Sequence, residues 1–376
     1  MSHLFPNYHR SPITFVKAEN NSLYDSSGKA YLDFSSGIGV TNLGFHSALV
    51  ASLSEQVQTL WHTPNLYQNP LQEEVADLLI GERDYLAYFC NSGAESNEAA
   101  IKLARKATGK SDIIAFKNSF HGRTFGAMSA TGQEKIQKGF GPLLSGFQYA
   151  SFNDLASVEA LISENTAAVM LELVQGESGV HPADKAFIKG LETLCHEQNI
   201  LLIVDEVQTG MGRTGTLFAF EQYEIEPDIV TLAKGLANGV PVGAMLGRTS
   251  LAHAFGPGSH GSTFGGNVLA MSASKATLQI LKEPGFLEEA SAKGDYLMTQ
   301  LKDKLQDCVS VFDLRGLGLM VGIETSLELS KVVEQARAGG LILLTAGTNT
   351  IRLLPPLTVT SAEIDQAVNV LQKVLA

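Results

Sequence analysis

Five short, uninterrupted apolar runs dominate the middle of this 376-residue chain: IIAF at 113–116, AAVMLELV at 167–174, ILLIVDE at 200–206, DIVTLA at 228–233 and GAMLG at 243–247. Runs of this length without polar alternation suit strands covered on both faces, the condition of a largely parallel sheet. Helical stretches separate several of them. PLQEEVADLLI, from residue 70, puts Leu71, Val75, Leu78 and Leu79 on one face, with Gly81 as a natural stop. ESNEAAIKLARKAT at 95–108 is followed by Gly109, and DKAFIKGLETLCHEQN occupies 184–199. The alternation predicts an α/β fold. Residues 13–35 read instead as short antiparallel strands turning at Asn20-Asn21 and Ser26-Ser27-Gly28. Beyond Gly266, helices at about 267–282 and 286–306 lead to strands at 309–314, 317–325, 341–345 and 350–354 and a last helix at 361–375. Residues 1–45 and 270–376 are therefore expected to form one discontinuous, smaller α+β domain around a large domain of 46–269.

Charge and composition narrow the function. With 27 Lys and Arg against 39 Asp and Glu, the net charge is −12. This argues against a nucleic-acid or anionic membrane surface, both of which need concentrated positive charge. No apolar run reaches the roughly 18 residues of a membrane span, and MSHLFPNYHRSP reads as neither signal nor transit peptide. Cys90, Cys195 and Cys308 are odd in number and form no CxxC pair, and no histidines stand in HExxH spacing. Neither a disulfide framework nor a metal centre is expected. The expectation is a soluble, cytoplasmic protein acting on small molecules.

The chemistry-bearing residues fall at the ends of the apolar runs. Asp205 and Glu206 close ILLIVDE, where open α/β sheets place their ligands. Alone, such an acid is most often a structural cap. However, DIVTLA ends in Lys234-Gly235, and a lysine at the mouth of a buried strand is costly unless paired or put to chemical use, such as condensation with an aldehyde. An acid for a cationic ring nitrogen together with a lysine for an aldehyde describes pyridoxal 5′-phosphate. Asn91-Ser92-Gly93-Ala94 opens the helix at 95–108 and offers backbone N–H groups to a phosphate. Phe120-His121-Gly122-Arg123 supplies a flat ring and a cation, and Ser262-Thr263 supplies hydroxyls among glycines. The bland readings of these are a packed ring, a surface ion pair and a plain loop. Gly210-Met211-Gly212-Arg213-Thr214-Gly215 matches the dinucleotide fingerprint G-x-G-x-x-G. It lacks the strand-to-helix setting that a nicotinamide dehydrogenase needs.

Taken together, the segments LDFSSGIGVTNLGFH, LWHTPNLYQNP, CNSGAESNEAAIKLARK, FHGRTFGAMSATG, QGESG, VDEVQTGMGRTG, TLAKGLANGVPVGAMLG, GSHGSTFGGN, RGLGLMVGIE and IRLLPP resemble those of the class III pyridoxal-phosphate-dependent aminotransferases, in order and over nearly the whole chain. The resemblance implies fold type I of the pyridoxal-phosphate enzymes, with a mostly parallel central sheet covered by helices on both faces. It implies Lys234 as the cofactor-bearing lysine and proton shuttle, Asp205 on the ring nitrogen, Gln208 near the ring hydroxyl and Phe120 stacked on the ring. Gly93 and Ala94 would receive the phosphate, with Thr263 contributed by the neighbouring subunit of a homodimer. Arg123 and Ser262 would contact substrate, and Arg352 would hold a substrate carboxylate with Glu177 as its switchable partner. Two positions depart from the family pattern: Ala94 lacks a hydroxyl usual there, and Ser178 replaces a usual glycine. Relatives acting on ornithine carry a tyrosine in the segment matching Ser36–Gly39, where this chain has none. That favours N-acetylornithine as amino donor and 2-oxoglutarate as acceptor, a step of arginine biosynthesis, over ornithine, succinylated donors or 4-aminobutyrate.

Overall fold

The computed structural model describes residues 3–376. Strands β1 (Phe15–Glu19), β2 (Ser22–Asp25) and β3 (Ala30–Asp33) form an antiparallel meander. The central sheet follows, from β4 (Tyr85–Cys90), β5 (Asp112–Phe116), β6 (Phe147–Ala150) and β7 (Thr166–Leu171). After the small hairpin of β8 (Val174–Gln175) and β9 (His181–Pro182), it is completed by β10 (Leu201–Asp205), β11 (Ile229–Leu232) and β12 (Gly243–Arg248). The order across this seven-stranded sheet is β4-β12-β11-β10-β7-β5-β6. All pairings are parallel except the two made by β12, which is antiparallel to β11 and β4. The reason is local. The segment between β11 and β12 holds one short turn of 3₁₀ helix, Lys234–Leu236, and a parallel return needs a crossover of a dozen or more residues.

The parallel strands are buried on both faces, as the apolar runs predict: every residue of β7 and β11 is buried. One run is shorter than its text. AAVMLELV breaks after Leu171, and the next residue, Glu172, turns its carboxylate to accept a hydrogen bond from Phe120 N at 2.9 Å. The helix predicted at 95–108 begins earlier, at Gly93, where Ser92 Oγ accepts from Glu95 N at 3.2 Å; it ends with Gly109 at φ +69.

Strands β13 (Val311–Leu317), β14 (Met320–Thr325), β15 (Leu341–Ile342), β16 (Leu344–Ala346) and β17 (Thr350–Leu353) complete the chain's strands among the described residues. They form the sheet β13-β14-β17-β16, while β15 pairs in parallel with β3. Further bonds lace the two ends of the chain together. Leu354 N donates to Phe34 O at 2.7 Å, Ser36 Oγ to Leu354 O at 2.6 Å, and Leu357 N to Asn42 O at 2.7 Å.

One charged side chain is central to this lacing. Arg213, in the G-x-G-x-x-G segment, is fully buried. It donates to Leu319 O at 3.0 Å, to Asn42 Oδ1 at 2.6 Å and to Pro355 O at 2.5 Å. The segment is thus a loop stitched to both ends of the chain rather than a strand-to-helix phosphate turn. Arg213→Ala would leave three buried acceptors without a donor. It is expected to lower the unfolding free energy by roughly 3 kcal/mol or more, read from urea denaturation. A loss below about 1 kcal/mol would contradict this role.

Candidate active site

The carboxyl ends of β4, β5, β7, β10 and β11 converge on one cavity of ≈ 460 Å³. Asp205, the last residue of β10, stands in its lining and is 4% exposed. Its Oδ2 accepts from Asn97 Nδ2 at 2.8 Å and lies 2.7 Å from His121 Nδ1, and its Oδ1 accepts from Val207 N at 2.9 Å. Asn97 is held in turn, since its Oδ1 accepts from Thr231 Oγ1 at 2.7 Å and its Nδ2 also donates to His121 O at 2.6 Å. Burial works to lower the His121 pKa, but the Asp205 hydrogen bond and charge outweigh it and hold the imidazole above its ordinary value.

Lys234 follows β11 and faces the same cavity. Its backbone lies in the left-handed region, φ +45, which a side-chain-bearing residue adopts at a cost of about 1–3 kcal/mol. Its amine makes no hydrogen bond among the described residues. Burial lowers its pKa, against the opposing pull of Glu177, Asp205 and Glu172. Such an amine is biased toward its neutral, nucleophilic form.

The cavity wall carries the start of the helix Gly93–Thr108, with Gly93 and Ala94 in its first turn. A Cβ at Gly93 would meet Val207 Cγ1 at 2.7 Å, and one at Gly122 (φ +144) would meet the Ala94 Cβ at 2.9 Å. Both glycines are thus required by close approach, and the unbonded first-turn N–H groups are left for an anion. Phe120 lines the cavity half-buried, and Arg123 stands exposed at the rim with its guanidinium 5.6 Å from the Phe120 ring centroid.

A second cluster meets the cavity through Gln208. Arg352 Nη1 donates to Glu177 Oε1 at 2.6 Å, Gln208 Oε1 at 3.0 Å and Gly176 O at 3.1 Å. Gln208 Nε2 reaches Glu177 Oε1 at 3.4 Å. Arg352 is nearly fully buried, whereas the Glu177 side chain is 30% exposed. Burial raises the Glu177 pKa, but Arg352 more than offsets this and keeps the carboxyl below its ordinary value. Nearby, Ser36–Gly39 makes a turn with four successive positive φ angles, including +71 at Ile38, and Val40 behind it lines the cavity.

Ser262 and Thr263 are not brought into this cavity within one chain. They line a separate one, where Ser262 Oγ accepts from Asn91 Nδ2 at 3.1 Å and from Gly265 N at 2.9 Å, and Thr263 is exposed. Asn97, His121 and Glu172 received no role from the sequence. Glu172 carried a signal, a charge inside an apolar run; Asn97 carried none, being one polar residue of a helix.

Burial pushes the Glu172 carboxyl up to about 7 from an ordinary 4.5. The folded chain then keeps this proton to about pH 7, while the unfolded chain releases it near 4.5. Between those values the folded state binds more protons, so this group's contribution to stability falls as pH rises. In Glu172→Gln, the loss of thermal stability of the cofactor-free protein between pH 4.5 and 7 is expected to be smaller than in the wild type. An unchanged difference would refute the assignment.

The model of the family described as aminotransferase class-III matches residues 5–375. Acetylornithine aminotransferase of Streptococcus mutans is 64% identical over 374 residues, covering 100% of this chain and 99% of that protein. Among solved structures, N-acetylornithine aminotransferase from Stenotrophomonas maltophilia superposes with a TM-score of 0.83 at 34% identity, over 98% of this chain and 96% of that one. Ornithine aminotransferase from Toxoplasma gondii, a structure described as having partial occupancy of PLP at the active site, gives a TM-score of 0.93 at 31% identity, over 99% and 92%. A family match over all but the ends, on a sheet whose strand ends gather Lys234 and Asp205 in one cavity, makes this chain a member of the class III aminotransferases.

Proposed function

We propose that the chain transfers the side-chain amino group of N2-acetyl-L-ornithine to 2-oxoglutarate, giving N-acetyl-L-glutamate 5-semialdehyde and L-glutamate, a step of arginine biosynthesis in the cytoplasm. The observation that carries this reading is an amine without a hydrogen bond among the described residues, Lys234, facing the same cavity as the fixed carboxylate Asp205, in a chain so close in sequence to an acetylornithine aminotransferase. The residues present fit pyridoxal 5′-phosphate. The first-turn N–H groups of Gly93 and Ala94 would take its phosphate, with no side-chain hydroxyl at Ala94 to assist. Asp205 would accept from its ring nitrogen, Phe120 would cover its ring, and Gln208 would stand by its ring hydroxyl. When bound, this cofactor supplies an aldehyde for the donor's amine and an electron-withdrawing ring.

The chain's own residues do the rest. Asp205, oriented by Asn97 and His121, keeps a proton on the ring nitrogen. Lys234, its pKa lowered by burial, would act as the base that removes a proton from the donor's reacting carbon and as the acid that gives one back. Arg123 binds the α-carboxylate at the donor's distant end, and Ser262 would join it there only across a subunit interface. Arg352, on β17 in the segment 270–376 expected to belong to the smaller domain, meets Glu177 and Gln208 of the segment 46–269. An unpaired buried guanidinium would oppose a donor with no carboxylate beside its reacting carbon. Glu177 therefore pairs Arg352 during reaction with acetylornithine and leaves it when glutamate presents its α-carboxylate. Ser36–Gly39, without a phenol, leaves room for the acyl group.

Comparison of kcat/KM for N-acetylornithine, N-succinylornithine, ornithine and 4-aminobutyrate, with 2-oxoglutarate as acceptor, tests the donor. N-acetylornithine is expected to lead by about tenfold or more, equivalent to about 1.4 kcal/mol. Preference for another donor would overturn the assignment. Lys234→Ala should retain the cofactor by absorbance yet lose turnover by about 10²–10⁴-fold.

A homodimer with shared sites accounts for the placement of Ser262 and Thr263. Asn65 Nδ2 bonds Ser262 O at 3.2 Å, and His62 meets Phe264 with ring centroids 5.5 Å apart. Around them Trp61, Leu66, Tyr67 and Phe264 are exposed, an apolar surface of the kind that marks an interface. Thr263 would reach the cofactor phosphate of the neighbouring subunit. Inactive Lys234→Ala and Thr263→Asp chains, mixed under subunit exchange, should recover on the order of a quarter of wild-type activity, since half the dimers are mixed and each holds one intact site. No recovery after demonstrated exchange would refute sharing.

A further inference from the structure

Glu177 stands on the loop 176–180 between β8 and β9, and the backbone of this loop is held along its length. Gly176 O accepts from Arg352 Nη1 at 3.1 Å and Glu177 O from Gly347 N at 2.9 Å. Gly179 O and Val180 O both accept from Arg315 Nε, at 2.9 and 3.1 Å. Arg315, on β13, is itself fixed. Its Nη1 donates to Asp313 Oδ2 at 2.7 Å and Glu324 Oε2 at 2.6 Å, and its Nη2 to Thr350 Oγ1 at 3.2 Å.

The loop is also strained. Val180 is fully buried and has φ +58, a conformation in which a β-branched side chain is crowded. Such strain persists only where the surroundings over-determine the backbone. A Cβ on Gly179 would lie 3.2 Å from Arg315 Nη2 and 2.6 Å from His181 Nε2, so the guanidinium and imidazole fill the space a side chain would take.

We infer that Arg315 is a positioning residue for the Glu177–Arg352 pair: by clamping the Gly179 and Val180 carbonyls it immobilises the loop, so that the Glu177 carboxylate leaves and regains Arg352 by rotation of its own side chain. This rests on the gate proposed above and identifies the part of the chain that moves. The asymmetry of the pair agrees. Arg352 is 3% exposed and anchored by Gly176 O and Gln208 Oε1, while the Glu177 side chain, 30% exposed, has solvent to turn toward. With the clamp weakened, the carboxylate drifts with its backbone and Arg352 is left unpaired when acetylornithine binds. Glutamate, which needs Arg352 free, is spared.

The two half-reactions of the holoenzyme are measured separately, by cofactor absorbance after mixing with N-acetylornithine or with glutamate. Wild type, Arg315→Lys, Glu177→Gln and the double variant are compared. Arg315→Lys is expected to lower the acetylornithine-to-glutamate rate ratio about fivefold or more, and to move it by less than about twofold in the Glu177→Gln background, because the clamp acts through Glu177. A purely structural role would slow both halves together or change only thermal stability. Equal effects of Arg315→Lys in both backgrounds, or an unmoved ratio where Glu177→Gln does move it, would overturn the inference. A ratio unmoved by Glu177→Gln would instead overturn the gate beneath it. If Arg315→Lys does not fold, Thr350→Val, which removes one guanidinium acceptor, takes its place with the same outcomes.

Discussion

A carboxylate buried at the end of a parallel strand carries an effective penalty of several kcal/mol unless donors surround it. Asp205 meets this with Asn97 Nδ2, His121 Nδ1 and Val207 N, and hydrogen bonds to a charged group contribute roughly 1.5–3 kcal/mol each. Those three donors come from three places: the helix Gly93–Thr108, the segment after β5, and the turn after β10 itself. Fixing the acid therefore fixes the mutual position of the helix start that would receive a phosphate, of Phe120 beside His121, and of Gln208 three residues along. The active site is in this sense organised around one charge.

The same region concentrates backbone strain. Lys234, Ile38 and Val180 all carry side chains at positive φ: the first is the proposed reacting amine, the second lies in the turn before Val40, and the third shares a loop with Glu177. Around them lie interactions that hold unfavourable backbone in place: Asn42 packed on Gly235 beside Lys234, Ser36 Oγ on Leu354 O, and Arg315 on the carbonyls of Gly179 and Val180. The central strands, by contrast, are regular and apolar. Rigid strands supply the frame, and the strained turns at their ends aim the side chains.

Two buried arginines have different work. Arg213 meets no carboxylate within salt-bridge distance among the described residues, and its Nη1 and Nη2 donate to carbonyl oxygens from distant segments, so it acts as a staple. Arg352 Nη1 is shared between two neutral oxygens and one carboxylate that is partly exposed. The exposed partner is the one that can be exchanged for a substrate's carboxylate, which makes the second arginine suited to binding and the first to architecture.

Much of this was legible in the chain. Apolar runs without alternation imply a doubly covered sheet, and because ligands bind beyond the carboxyl ends of such strands, Asp205 and Lys234 could be singled out from their places alone. Strand direction was less accessible: GAMLG reads like its parallel neighbours, and only the short connection from β11 turns β12 around. Asn97 and His121 could not be ranked, because what distinguishes them is a shared partner, Asp205, lying 108 and 84 positions away. Nor could the sequence place Ser262 and Thr263 in a cavity apart from Lys234, or set Arg315 against the loop of Glu177. Residue type and local period determine which elements form and where chemistry can sit. Which distant polar groups satisfy one another is decided only when the chain closes, since a hydrogen bond or a buried charge depends on separation in space and not on separation in sequence.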